Sequence, residues 1–394
     1  MAAREYFSGL SRNTMLLAFA SLFADISSEM LYPVLPIFLT QTLKAGGSLV
    51  GLIEGVAEAT QNIVQGFSGS LSDKLQRRKT IALAGYGLAA IAKPLIGIST
   101  CWQGVLGGRF LDRLGTGIRS APRDALIAAS VDEKSRGQAF GLESAGDNAG
   151  AFLGPVLAVV LLAALHLDIR LIFYVAVIPG LLALVMIALV REKRSVKAES
   201  KAKIGLARFP PAYWKYLAVT AIFGIGNSSN AFLILQTKAL GASLTTTILI
   251  YAAFNLVAAL VSYPAGALSD RLGRRNLLLV SFATFLAVYL GFALTDNIWL
   301  IGALFILYGL FQGIFRSAGK ALASDLVTTQ TRASGVGWYS TTVGLSGLVA
   351  SLVAGLLWDR VGHGAVFLYG AALAFSGAIA LLALVPVKPV RSSS

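Results

Sequence analysis

The chain has 394 residues, 56% of them hydrophobic and 13% charged. A water-soluble domain carries about 25% charged residues, so this composition excludes a chain whose whole surface faces water. The net charge is +14, but the basic excess lies in short connections between apolar blocks, which is the pattern of membrane topology and excludes a nucleic-acid-binding face. The single cysteine, Cys101, excludes an intramolecular disulfide framework and a multi-cysteine metal site. No metal and no cofactor is expected.

A bilayer core needs about 20 apolar residues per helix. The apolar blocks are continuous and do not alternate at period two, which points to helices and away from a barrel. Twelve spans are expected at 15–40, 47–71, 80–100, 102–124, 138–165, 170–190, 215–237, 243–268, 277–295, 297–321, 334–357 and 364–387. The first holds Asp25 and Glu29 and lacks a small-residue cleavage site, so it reads as a retained helix and not a signal peptide. Connections carrying Lys74-Arg77-Arg78-Lys79, Lys134-Arg136, Arg271-Arg274-Arg275 and Arg332 are strongly basic, while those with Lys44, Arg170, Lys238 and Arg360 are not. The positive-inside rule puts the basic set and both termini in the cytoplasm. The stretch 191–213 is rich in Lys and Arg and ends in Pro210-Pro211. It reads as a linker dividing the chain into 1–190 and 214–394, six spans each.

The halves repeat. GSLSDKLQRRK begins at Gly69 and GALSDRLGRRN at Gly266, 197 positions apart. The same offset of 197 relates Arg119 in IRSAPR to Arg316 in FRSAGK, and Glu58 to Asn255. The expected fold is therefore all-α, with 12 transmembrane helices in two pseudo-symmetric six-helix bundles.

Charged side chains at bilayer depth cost roughly 2.5–3.5 kcal/mol each on insertion scales, and they face a partner or a cavity. Here they fall in helical stripes. The first span carries Ser21, Asp25, Glu29 and Tyr32, and the second Glu54, Glu58 and Asn62. The fourth carries Arg109, Asp112, Arg113, Arg119 and Arg123, and the fifth Glu143 and Asp147. The second half offers Asn227, Asn230, Tyr251, Asn255, Gln312 and Arg316. These faces are expected to surround a shared solute cavity lined by Tyr32, Glu54, Glu58, Asn62, Arg119, Asp147, Asn227, Asn230, Tyr251, Asn255, Gln312 and Arg316. Asp25, Glu29 and Asp112 are expected to take up and release protons as their partners, Arg109 and Arg113, move; a static ion-pair network is the other reading. Arg119 and Arg316 either grip an anionic solute or anchor their helices. Glu143 reads as interfacial or as part of a cytoplasmic latch, Arg123 as an anchor, and Lys93 as a residue that snorkels to the outer interface.

The two loop motifs resemble the signature G-x-L-x-D-R-x-G-R-R of the major facilitator superfamily. The second copy matches throughout (Gly266, Leu268, Asp270, Arg271, Gly273, Arg274, Arg275), and the first keeps Gly69, Leu71, Asp73, Arg77 and Arg78. The resemblance implies a gating role for Gly69, Asp73, Arg77, Arg78, Gly266, Asp270, Arg271 and Arg274. Gly141, Gly150, Gly154 and Pro155 are similar to the helix-5 signature of the drug:proton antiporters, whose two final glycines are here Ala158 and Val159. That likeness implies a hinge at Gly150, Gly154 and Pro155. The segment from Arg109 is similar to the family's R-x-x-Q-G-x-G, with Asp112 and Arg113 replacing Gln and Gly, and implies proton coupling. The function implied is proton-coupled export of a small organic solute by a monomeric carrier in the plasma membrane. Uptake of an anionic metabolite or metal chelate by symport is one alternative, and a non-transporting receptor or lipid-handling protein on the same fold is another. An enzyme is not expected: no G-x4-G-K-[ST] loop, zincin pattern or G-x-S-x-G elbow is present.

Overall fold

A computed structural model describes residues 11–75, 77–131, 136–192, 209–328 and 331–385. All regular structure in these residues is helical. In chain order the helices are α1 (Arg12–Glu29), α2 (Leu35–Ile37), α3 (Gly47–Leu75), α4 (Arg78–Ile98), α5 (Trp102–Ala129), α6 (Arg136–Val159), α7 (Ile169–Val175), α8 (Val177–Leu189), α9 (Pro211–Gly226), α10 (Ala231–Ala239), α11 (Leu244–Leu272), α12 (Arg274–Leu294), α13 (Ile298–Asp325), α14 (Arg332–Arg360) and α15 (His363–Leu384). Single π-turns, Phe38–Thr42 and Val160–Ala164, follow α2 and α6.

Nine helical segments of the described residues are long and apolar enough to cross a membrane. The three other long helices, α1, α3 and α5, each hold a stripe of ionisable residues. The expected first span, 15–40, is not one helix. It breaks after Glu29, where Pro33 and Pro36 lack the N–H groups that an α-helix needs. The seventh, 215–237, breaks at Asn227–Asn230, where Asn and Ser side chains compete for the backbone. The freed groups are satisfied locally: the Ser229 N–H donates to Ser351 Oγ at 3.1 Å, and the Ala231 N–H to Ser229 Oγ at 3.3 Å. Of the linker expected at 191–213, residues 193–208 lie outside the described residues.

The chain forms two compact units, Met1–Val34 with Ile63–Lys201, and Leu35–Asn62 with Ala202–Ser394. In the first unit, α1 packs on α6 and α8, and α4 on α5. Glycine sets the α1–α6 spacing. A Cβ on Gly146, Gly150 or Gly154 would lie 2.6, 2.7 or 2.8 Å from the carbonyl oxygens of Ala18, Leu22 and Ile26. The second unit is held by aromatic packing, with Phe223 stacked on Phe282 at 4.0 Å and Phe285 edge-on to Phe311 at 4.9 Å. The first half of α3 belongs to this unit. Gly51 meets the Ser351 carbonyl of α14 without room for a Cβ, and a Cβ on Gly355 would lie 2.5 Å from the Gly47 carbonyl oxygen. Asp359, near the end of α14, caps α3. It accepts from the Gly47 N–H at 2.7 Å and the Ser48 N–H at 2.8 Å, and from the Ser48 hydroxyl.

Candidate functional site: an ion-pair ladder along α5

On α5, Arg109, Asp112, Thr116, Arg119 and Arg123 recur every three or four residues and so share a face, with Arg113 four residues from Arg109 beside them. That face meets polar groups from α1, α4 and α6 at three levels.

At the first level Asp112, 2% exposed, takes three cations. Lys93 Nζ of α4 lies 3.2 Å from Oδ1, and Arg109 Nη1 and Arg113 Nε lie 3.1 and 3.4 Å from Oδ2. Lys93 also donates to the Ala89 carbonyl at 3.2 Å. The snorkelling expected of Lys93 is therefore corrected: the α4–α5 contact brings a carboxylate within reach, and the lysine is 2% exposed. The Arg109 guanidinium lies 5.7 Å from the ring centre of Tyr32.

At the second level, Arg119 lies over the Tyr86 ring at 4.4 Å, with Nη2 3.9 Å from Asp25 Oδ1. At the third, Arg123 Nη2 lies 2.6 Å from Glu143 Oε1 and 3.1 Å from Asp124 Oδ1, while Nη1 lies 3.6 Å from Asp147 Oδ1. Arg123 Nη1 donates to Ser21 Oγ at 2.8 Å, and that hydroxyl donates to Glu143 Oε1 at 3.3 Å. Glu143 is thus buried in an ion pair, and Arg123 joins α5 to α6 through it. Neither partner was legible locally, since Arg123 and Glu143 sit on different helices.

Glu29 is half-buried, and its Cβ lies where Gly154 lets α6 approach. α6 runs unbroken through Pro155 to Val159. In the second unit, Glu54 is buried, and Glu58 and Asn62 are half-buried on α3. Asn227 and Asn230 lie at the α9–α10 break, where the Tyr308 hydroxyl donates to Asn230 Oδ1 at 2.9 Å. Tyr251 is buried against Phe254, Asn255 and Gln312 are half-buried, and Arg316 is exposed. The two cations related by the repeat thus differ: Arg119 is buried and Arg316 is not.

Of the gating residues, Arg77 is exposed, and the Arg78 N–H donates to Glu192 Oε1 at 2.8 Å. Arg274 Nε lies 2.9 Å from Asp325 Oδ2. The side chains of Gly69, Asp73, Gly266, Asp270 and Arg271 lie outside the described residues.

Residues 17–237 and 216–394 each match the Major Facilitator Superfamily. An uncharacterized MFS-type transporter of Methanocaldococcus jannaschii is 36% identical over 381 residues, 95% of each chain. The multidrug resistance protein MdtG of Proteus mirabilis is 25% identical over 380 residues, 92% of this chain and 93% of the relative. A probable 4-methylmuconolactone transporter of Cupriavidus pinatubonensis is 28% identical over 341 residues, 82% and 78% of the two chains. In fold the chain is similar to the nucleoside transporter NupG, with TM-score 0.76 at 15% identity over 96% of this chain and all of that one. The chain belongs to the major facilitator superfamily, and is accordingly a multi-pass membrane carrier, not an enzyme, that moves a small molecule by secondary-active, alternating-access transport.

Proposed function

We propose that this carrier is proton-coupled and exports a small organic solute, in the manner of the drug:proton antiporters. The observation that carries the reading is the ladder on α5, where Arg119 and Arg123 contact carboxylates of α1 and α6. Such groups are costly in a bilayer, and their pairing supplies contacts that a proton can switch. The likeness to MdtG and to the helix-5 signature supports export. Nine apolar helices together with α1, α3 and α5 support twelve spans; in this reading they form two six-helix bundles, 1–190 and 214–394, joined by a cytoplasmic linker at 191–213. In this reading the termini are cytoplasmic, the carrier is a monomer in the plasma membrane, and Asp25 and Glu29 act with the α5 arginines in coupling. The polar residues of α3, α9, α10, α11 and α13 line the solute path. The loops containing Asp73 and Asp270 form the cytoplasmic latch, and α6 turns about Gly150, Gly154 and Pro155.

A second reading, proton symport of an organic acid or related metabolite into the cell, draws on the likeness to the 4-methylmuconolactone transporter. One experiment decides between them. A growth screen with toxic compounds and sole nutrients finds a solute, and its flux is then followed in vesicles of both orientations under an imposed pH gradient. Accumulation in inside-out vesicles with proton release supports export. Accumulation in right-side-out vesicles with proton entry supports symport. Flux indifferent to the gradient in both overturns proton coupling.

A further inference from the structure

Charge is unevenly distributed along the ladder. Asp112 has three cations within 3.4 Å. Eleven residues further along α5, about 16 Å at the helical rise, one guanidinium meets three carboxylates: Arg123 lies 2.6 Å from Glu143, 3.1 Å from Asp124 and 3.6 Å from Asp147. Among the described residues, the elements packed around this level supply little further positive charge. α1 brings Ser21, Asp25 and, one turn beyond, Glu29; α4 brings Tyr86; α5 brings Arg119, which faces Asp25 at 3.9 Å; and α8 has no ionisable residue. Among the described residues, four carboxylates (Asp25, Asp124, Glu143, Asp147) thus share two guanidinia (Arg119, Arg123).

Neighbouring carboxylates short of cations repel one another, and a proton bound within the group relieves that repulsion. Solvent access says where. The Asp124, Asp147 and Asp25 carboxylates are 44%, 34% and 28% exposed, whereas Glu143 is 8% exposed. Glu143 and Asp147 lie one turn apart on α6 and reach the same guanidinium from the same side.

We propose that the transported proton is bound at Glu143, between Asp147 and Arg123, and that Asp112 is a fixed anion whose task is to position Lys93, Arg109 and Arg113. This deepens the proton-coupling reading and rests on it. When the proton leaves, the pair gains a negative charge beside Arg123, and Asp147, only loosely held at 3.6 Å, is drawn inward. Unused hydrogen-bonding capacity is present on both sides, since Asp147 Oδ1 and the Nε and Nη1 atoms of buried Arg119 have no hydrogen-bond partner. The pull acts on α6, whose glycine face rests on the α1 backbone without interlocking side chains at Gly146, Gly150 and Gly154. Deprotonation is thereby converted into displacement of α6 along α1.

The test uses purified full-length protein in detergent and in liposomes, with Glu143→Gln, Asp147→Asn and Asp112→Asn, each checked for folding by thermal unfolding. Infrared difference spectra across pH 5–9 are expected to contain a protonated-carboxyl band that Glu143→Gln and Asp147→Asn remove or shift and Asp112→Asn leaves in place. In liposomes, the two α6 variants lower gradient-driven accumulation by about tenfold more than they lower gradient-free solute exchange. Asp112→Asn lowers both modes together. A band that survives both α6 variants, or driven accumulation lost selectively in Asp112→Asn, overturns the assignment. If the wild type exchanges solute but never accumulates it under a pH gradient, proton coupling fails, and the infrared titration still decides which carboxyl holds the proton.

Discussion

A lysine in an apolar helix escapes hydrocarbon either by reaching the headgroups or by meeting a carboxylate. The sequence offers no means of choosing, because Lys93 and Asp112 are 19 residues apart on different helices. The contact of α4 with α5 chooses the second route. Removing the lysine leaves Asp112 with two guanidinia, so Lys93→Met is expected to cost about 1.5–3 kcal/mol, the size of a hydrogen bond to a charged group. Asp112→Asn leaves three cations short of an anion and is expected to cost more, about 3–5 kcal/mol. Unfolding of both variants in detergent checks this; a Lys93→Met protein as stable as the wild type would mean that the contact contributes nothing. Asp25, Glu29, Arg109, Arg123 and Glu143 stand out in the sequence as charges within apolar spans, but which of them meet is not legible there, because Arg123 and Glu143 lie on different helices.

At the scale of helices, four-residue glycine spacing does the work on α6. Gly146, Gly150 and Gly154 lie against carbonyl oxygens of α1, while Gly141, equally part of the sequence signature, has nothing within 4 Å of an added Cβ. Gly150→Ala is therefore expected to push the helices apart and destabilise by about 1–3 kcal/mol, as overpacking does. Gly141→Ala is expected to stabilise by up to about 1 kcal/mol through helix propensity. Equal effects in a thermal-shift comparison would show that the close approach does not matter. The signature thus names two of the three contact glycines, Gly150 and Gly154, and passes over Gly146. Asp359 makes a parallel case. It caps α3 from a residue 312 positions away, which no local capping pattern announces. Asp359→Ala is expected to cost about 0.5–2 kcal/mol, the usual worth of a helix N-cap, and a stability unchanged within error would show the cap to be idle.

For the whole molecule, the duplication was visible as a constant offset, but the two units hold themselves together differently. The first keeps buried ion pairs, and the second stacks aromatic rings around Phe223, Phe285 and Tyr308. Alternating access requires some contacts to open during each cycle. The junction of the Gly47–Ser48 backbone with Asp359 is expected to be one of them. In a Cys101→Ser background, a disulfide between Ser48→Cys and Asp359→Cys should lower flux by roughly tenfold or more, with recovery on reduction, as expected when a required conformational step is blocked. Full activity in completely cross-linked protein would show that this junction stays closed throughout transport.

The sequence by itself determined that the chain is helical, embedded in lipid, duplicated and built like a major facilitator, because hydropathy, charge in short connections and repeated motifs are properties of positions along one chain. Tertiary structure decided which charges meet: three cations on Asp112, three carboxylates on Arg123, and a lysine turned inward. It also decided where the first and seventh spans break. The reason is physical. An ion pair between helices depends on their rotation and separation, which glycine contacts and packing set across the fold, and no window of neighbouring residues contains that information.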